Sequence, residues 1–252
     1  MIQLFWLRTD LRVADNTALS QALSNGPTVA VYLITPQQWL AHDDAPCKVD
    51  FWLRNLACLR EQLGKLNIPL LIRNCADWQQ APVTLLQLSQ QIGAGAVHCN
   101  EEYGIHETRR DRACSSLLES QGIAFTAHFD QLLLKPGSVL TQSGNYFQVF
   151  SQFRKVCYRR LHLSLPACLP YPAAQAALPI SSDELPAGVS GFAPPDATLR
   201  QLWPAGEAAA QQRLQQFAEQ QIDAYASQRD LPALPGTSQL SPYLAAGVLS
   251  PR

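Results

Sequence analysis

The sequence predicts an α/β protein built on a doubly wound, five-stranded parallel sheet. Three observations point there. Short apolar runs alternate with segments of helical period over the first 130 residues. The runs are nearly continuous rather than alternating, as in strands buried on both faces. Turn and cap residues separate them at short intervals.

Residues 2–7 form the first apolar run. Asp15 or Asn16 can cap the helix over 17–23, and Asn25-Gly26-Pro27 ends it. Residues 28–34 (TVAVYLI) are rich in β-branched side chains and form the second strand. Over 47–66, Phe51, Leu53, Leu56, Leu59, Leu63 and Leu66 recur near helical spacing. A third strand is expected at 68–72, a helix at 83–92, and the start of a fourth strand at 96–99. A charged helix over 108–121 and a fifth strand over 123–129 complete the unit. Ligands in such sheets sit beyond the carboxyl ends of the strands. That edge should carry residues 8–12, 35–42 and 100–107.

The texture changes after about residue 130. Residues 147–161 (FQVFSQFRKVCYRRL) read as an amphipathic helix. A proline-rich stretch follows, with Pro166, Pro170, Pro172, Pro179, Pro186, Pro194, Pro195 and Pro204. It has no helical or strand period and reads as a long connection crossing a surface. Helical pattern returns over 206–226. The expected units are therefore 1–130, a connector at 131–205, and a helical unit at 206–252.

Composition fits a globular chain: 47% hydrophobic, 15% charged, with a formal charge of −1. The basic excess expected of a nucleic-acid binder is missing. Seven scattered cysteines without a C-x-x-C pair read as reduced thiols, and no zinc spacing is present. The N-terminus does not read as a signal peptide, and no apolar run is long enough to span a bilayer. The expected location is cytoplasmic. No G-x-G-x-x-G, P-loop or G-x-S-x-G motif occurs, and the five histidines form no metal-binding or triad pattern.

Two local features carry chemistry. Ser241-Pro242 reads as a helix start, with a hydroxyl cap and proline at the first helical position, preceded by Thr237 and Ser238. Such a terminus can receive a phosphate or simply cap a helix. Residues 100–107 (NEEYGIHE) follow the fourth strand. A carboxylate there can accept hydrogen bonds from an aminopyrimidine or pterin edge, or can lie as a solvated acidic loop.

Several segments together resemble one family. Trp6-Leu7-Arg8-Thr9-Asp10-Leu11-Arg12, with Asp15-Asn16 and Ala18-Leu19, resembles the opening of DNA photolyases and cryptochromes. Asn100, Tyr103, Glu107, Arg110 and Asp111 are similar to the family's loop after strand four. Phe147, Val149, Phe150 and Phe153 resemble its F-x-x-F helix. Tyr225, Arg229, Gly236-Thr237-Ser238, Leu240-Ser241-Pro242-Tyr243-Leu244, Gly247 and Leu249-Ser250-Pro251-Arg252 resemble the start of its flavin domain. The similarity runs along the whole chain and is nearest to bacterial cyclobutane-dimer photolyases with a folate antenna.

The resemblance implies an α/β antenna domain over 1–130 and the first helices of an all-helical FAD domain from 206. It implies light-driven repair of cyclobutane pyrimidine dimers in DNA by an electron from reduced FAD, in a monomer acting without a membrane. Tyr225, Thr237, Ser238, Gln239, Leu240 and Ser241 would face FAD. Arg229 would contact the DNA backbone. His42, His106 and Glu107 would hold 5,10-methenyltetrahydrofolate. His106 stands where close relatives carry asparagine, and Gln152 and Cys157 replace a frequent proline and tryptophan. The family continues well past position 252, so the resemblance implies that much of the catalytic half is missing. Leu214, Phe217, Leu240 and Leu244 would then be left exposed. A blue-light receptor of the cryptochrome kind and a stand-alone pterin- or nucleotide-binding module are the alternative functions.

Overall fold

The computed structural model describes residues 1–252. Five parallel strands lie in the order β3-β2-β1-β4-β5: β1 Ile2–Leu7, β2 Thr28–Ile34, β3 Leu70–Asn74, β4 Ala94–Asn100 and β5 Ala124–His128. Period-two alternation sends the side chains of β1 to two cores. Phe5 and Leu7 face one layer, formed with α1 (Thr17–Asn25) and α3 (Pro46–Lys65). Leu4 and Trp6 face the other, formed with α4 (Ala81–Ile92) and α5 (Ile105–Ser120). The central strands are buried on both faces, which is why they read as continuous apolar runs.

Asn16, not Asp15, caps α1, accepting from the Leu19 amide at 3.1 Å. The third strand begins two residues later than the apolar run suggests. Ile68 donates its amide to Leu63 and closes the end of α3. Pro69 has no N–H to give, so strand pairing starts with its carbonyl, which accepts from Ala30. A short helix, α2 (Pro36–Ala41), follows β2 where the sequence reading assigned no element.

Strand β3 is an edge, and the proline-rich connector covers it. Leu70 donates its amide to the Ser182 hydroxyl, and Asp183 donates back to the Leu70 carbonyl at 2.9 Å. Ile72 donates to the Asp183 carboxylate, while Gln175 brackets the amide and carbonyl of Thr28. These bonds consume edge groups that would otherwise invite a foreign strand. Proline supplies extended backbone without needing ladder partners.

Helix α6 spans Phe150–Leu163, three residues later than predicted at its start, and buries no residue. The connector also holds α7 (Ala197–Leu202), which the sequence reading missed; the Asp196 side chain caps it at the Thr198 amide. Then come α8 (Glu207–Gln220), a 3-10 turn at Ile222–Ala224, α9 (Tyr225–Gln228) and α10 (Ser241–Ala245).

The last segment packs into the first core. Leu240, Tyr243, Ala246, Val248 and Leu249 join the side chains of α1 and α3 there. Leu240 is therefore buried, contrary to the exposure expected for it, whereas Leu214 and Leu244 are exposed. Gly247 takes a left-handed φ of 65° and touches the loop after β1. A Cβ there would stand 1.9 Å from the Thr9 carbonyl oxygen, so only glycine fits. Leu11 donates its amide to Ala246, and Arg12 donates to the Gly247 carbonyl. Farther along, Arg252 pairs with Asp15 and Asp130, and Asp130 also pairs with buried Arg12. From α8, Glu207 accepts from the amides of Val13 and Ala14. The loop between β1 and α1 is thus clamped from several sides.

Candidate functional site at the carboxyl edge of the sheet

The order of the sheet reverses direction at β1, so the carboxyl ends of β1 and β4 diverge into a crevice. The loops after β1, β2 and β4 meet there around a cavity of about 150 Å³. Its walls are aromatic: Trp6, Tyr32, Trp39, Trp52 and Trp78. Trp39 and Trp52 lie 5.3 Å apart between ring centres.

A charged lattice forms the floor. Arg8 donates to both oxygens of Asp111 at 2.6 and 2.8 Å and to the Asn100 carbonyl. Arg110 donates to Glu102 at 2.7 Å, and Thr9 donates its hydroxyl to the other oxygen of Glu102 at 2.5 Å. The guanidinium groups of Arg8 and Arg110 each lie 4.8 Å from the Trp6 ring centre, and Arg110 also covers Trp78 at 4.6 Å. Burial opposes the charge on Glu102, but Arg8 and Arg110 outweigh it and hold the carboxyl down at about 2. Burial likewise disfavours ionised Tyr32, and the carboxylates of Glu102, Asp10 and Asp44 push its pKa up further. Asp10, also buried and with a raised pKa, accepts from the Arg8 amide and from the Asn100 side chain. This lattice fixes the cavity before any ligand arrives.

The three residues expected to hold a folate meet at the mouth of this cavity. His42 follows α2, and His106 and Glu107 open α5. The two imidazoles lie 5.5 Å apart between ring centres, and His42 stands edge-on to Trp78 at 5.2 Å. His42 and Glu107 line the cavity, while His106 is exposed beside them. Glu107 folds back over Gly104, where a Cβ would fall 1.9 Å from its carboxylate. Its neighbour Glu102 is committed to the two arginines.

The residues expected at FAD are divided. Thr237, Ser238 and Gln239 line one cavity of about 180 Å³ with Arg213 and Phe217. Gln239, at a left-handed φ of 50°, accepts from Arg213 at 2.8 Å. Leu240 turns into the core, and Ser241 borders a different cavity, between α3, α7 and α10. Tyr225 packs edge-on against Phe217 at 5.9 Å. Arg229 lies over the Tyr225 ring at 5.6 Å and is half exposed beside Asp230.

One expectation is corrected here. Ser241 is the first residue of α10 rather than its cap, the cap position is Leu240, and no side chain caps the helix. The helix has only 5 residues. So short a stack of peptide dipoles does not build a strong anion site.

Sequence reasoning placed Arg8 and Glu102 at this edge and Arg110 and Asp111 in a family motif, but it did not pair them into a floor. Arg8, Glu102, Arg110 and Asp111 come from three separated segments. The available signal was their charge: ionised side chains flanking buried strands must be paired. Trp39, Trp52 and Trp78 were also passed over, although they are three of only five tryptophans in the chain.

An open parallel sheet with a pre-formed, aromatic-walled cleft at its switch point defines a doubly wound α/β domain. The DNA photolyase family model matches residues 3–173, and the chain belongs to that family. A deoxyribodipyrimidine photo-lyase of Vibrio cholerae is 39% identical over the whole chain, which covers 54% of that relative. Among solved structures, a class III photolyase from Agrobacterium tumefaciens superposes with a TM-score of 0.82 at 29% identity, over 99% of this chain and 51% of its own. A cryptochrome from Synechocystis sp. PCC6803 gives 0.81 at 26% identity, over 100% of this chain and 54% of its own. The chain thus spans about half the length of the photo-lyases it matches. No helix is long and apolar enough to cross a membrane.

Proposed function

We propose that this chain supplies the antenna half, and the first part of the flavin-binding half, of a deoxyribodipyrimidine photolyase. Such an enzyme is a DNA-repair lyase that splits cyclobutane pyrimidine dimers under blue light. The observation that carries the reading is the meeting of His42, His106 and Glu107 at the mouth of an aromatic cleft, in a chain similar end to end to bacterial photolyases.

The residues at the mouth of the cleft fit one edge of a folate-type antenna such as 5,10-methenyltetrahydrofolate; the cavity, about 150 Å³, is too small to enclose it, so most of the ligand lies across the mouth. Glu107 has no hydrogen-bond donor within the protein and can accept from an amino-pteridine edge. The imidazoles of His42 and His106, with Trp78 behind, offer flat faces for a conjugated ring. The low-lying pKa of Glu102 keeps a fixed negative charge under the cleft.

For FAD the fit is partial. The hydroxyls of Thr237 and Ser238 and the cation of Arg213 suit phosphate oxygens. A cavity of about 180 Å³ is smaller than the roughly 300–1,000 Å³ of ordinary cofactor pockets, so these groups act as one wall. In this reading Thr237, Ser238 and Gln239 line that wall, Tyr225 packs behind it on Phe217, Leu240 anchors the segment in the core, Ser241 meets FAD only beyond this cavity, and Arg229 touches the DNA backbone. Reduced flavin, when bound, supplies the photoexcited electron. The residues here orient it and limit its contact with water. The protein is a cytoplasmic monomer in this account.

The similarity to a cryptochrome favours a second reading, a light receptor without repair. One experiment separates them. The chain is joined to the remaining half of the Vibrio cholerae relative and assayed for loss of thymine dimers under blue light. Repair above the dark control supports the photolyase reading. A chimera that holds flavin and repairs nothing, beside an active Vibrio cholerae enzyme, favours the receptor.

A further inference from the structure

The weak overall charge hides a strong segregation. Residues 131–182 hold five Lys and Arg and no Asp or Glu, while the other 200 residues hold fourteen and twenty. Four of the five cations, Arg154, Lys155, Arg159 and Arg160, stand on α6. Ten of the nineteen Lys and Arg side chains of the chain enter ion pairs, and none of these four does. All four are exposed. Elsewhere most cations are paired, some of them at the surface, as Arg60 with Glu184.

We propose that α6 is a nucleic-acid backbone-binding element whose four cations contact phosphates of a duplex. The cations span roughly two turns of the 14-residue helix, or about 10 Å, at 1.5 Å per residue, and are spread around most of its circumference, so that they reach phosphates on either side of it. Exposed aromatics accompany the cations: Tyr158 within the helix and Tyr146 and Phe150 before or at its start, at 58%, 75% and 71% exposure. Basic side chains interleaved with aromatic ones are what a nucleic-acid surface needs. A lipid surface is the competing partner, because Phe150, Phe153, Cys157 and Leu161 recur on one side of the helix and Phe150 is exposed. DNA is favoured because the cations are not confined to the opposite face: Arg154 and Arg160 flank the apolar stripe on either side, which leaves it narrow. The proposal rests on the photolyase reading for its substrate, DNA, and adds a contact outside the Arg229 region.

The test is fluorescence anisotropy of the whole 252-residue chain with two labelled duplexes, one undamaged and one carrying a thymine dimer. Each neutralised phosphate contributes about 0.9 to the slope of log affinity against log salt. The variant R154Q/K155Q/R159Q/R160Q should lower that slope by roughly 2–4 and weaken both duplexes at least about tenfold near 50 mM salt. R154K/R159K/R160K, which keeps the charge, should stay within about twofold. Unchanged affinity and slope in the neutral variant overturn the proposal. So does binding to phosphatidylserine vesicles that excess duplex fails to displace. Loss of any preference for the dimer, with the dependence on α6 intact, sustains this proposal and counts against the repair reading alone.

Discussion

Replacing Gly247 by alanine tests how firmly the C-terminal segment holds the cleft. The added Cβ would meet the Thr9 carbonyl oxygen at 1.9 Å and the Asp10 Cα at 2.5 Å. Both are backbone atoms, so no side chain can swing aside. The left-handed φ of 65° adds about 1–2 kcal/mol for an L-residue. Relieving the clash separates the two segments and breaks two hydrogen bonds, Leu11 to Ala246 and Arg12 to Gly247. Each contributes about 0.5–1.5 kcal/mol, and more where the donor is charged. The sum is a loss of about 3–5 kcal/mol, or roughly 6–20 °C in Tm for a chain of this size. Gly144, at φ 78° with nothing near a Cβ, is the control: Gly144→Ala carries the backbone cost alone, about 1–2 kcal/mol. Urea unfolding followed by tryptophan fluorescence reads both. Equal losses in the two variants, or less than about 1 kcal/mol for Gly247→Ala, would refute the clamp.

Three further outcomes follow from the same geometry. His98 and His128 stack at 5.3 Å with their ring nitrogens 3.0 Å apart; burial, then the facing imidazole, lowers the His98 pKa to about 4, and burial lowers that of His128. The unfolded chain therefore takes up these protons first, so stability is full above about pH 6.5 and declines as pH falls toward 4; His98→Gln should flatten that decline in urea titrations, and an unaltered pH profile would remove the pair as its source. Purified chain mixed with FAD and desalted should carry far less than one flavin per chain, because a single wall leaves most of the ligand in water; stoichiometric flavin absorbance would contradict this. In the repair-competent chimera, Arg229→Ala should weaken DNA binding and reduce the salt slope by about one while leaving the repair yield per bound dimer unchanged, and a collapsed yield at saturating DNA would assign Arg229 another role.

The sheet was legible because its central strands are buried on both faces and carry little but apolar residues. Thr28–Ile34 matches its predicted span for that reason. The third strand slipped by two residues because Ile68 is apolar in sequence yet belongs to the turn that ends α3. The short helix Ala197–Leu202 was hidden among prolines and depends on a local cap, with no residue buried. At the site, His42, His106 and Glu107 were legible through a family resemblance, not through spacing. The Arg8–Glu102–Arg110–Asp111 lattice and the Arg12–Asp130–Arg252 cluster pair residues a hundred or more positions apart in part, and no local pattern reports such pairings. Leu240 was misplaced for a related reason. Its neighbours suggested a cofactor wall, but the first core had room for one more apolar side chain beside Tyr243.

The most direct test of the account is a fluorescence titration of the chain with 5,10-methenyltetrahydrofolate, beside the Glu107→Ala variant. Leaving the pteridine edge without its acceptor costs about 1–3 kcal/mol, a weakening of roughly 5- to 150-fold. The account predicts saturable binding by the chain and that loss in the variant, with unfolding stability lowered by no more than about 1 kcal/mol, the dipole contribution of Glu107 in the first turn of α5. Equal affinity in the two proteins, or no binding by either, would contradict a folate site at the carboxyl edge of the sheet.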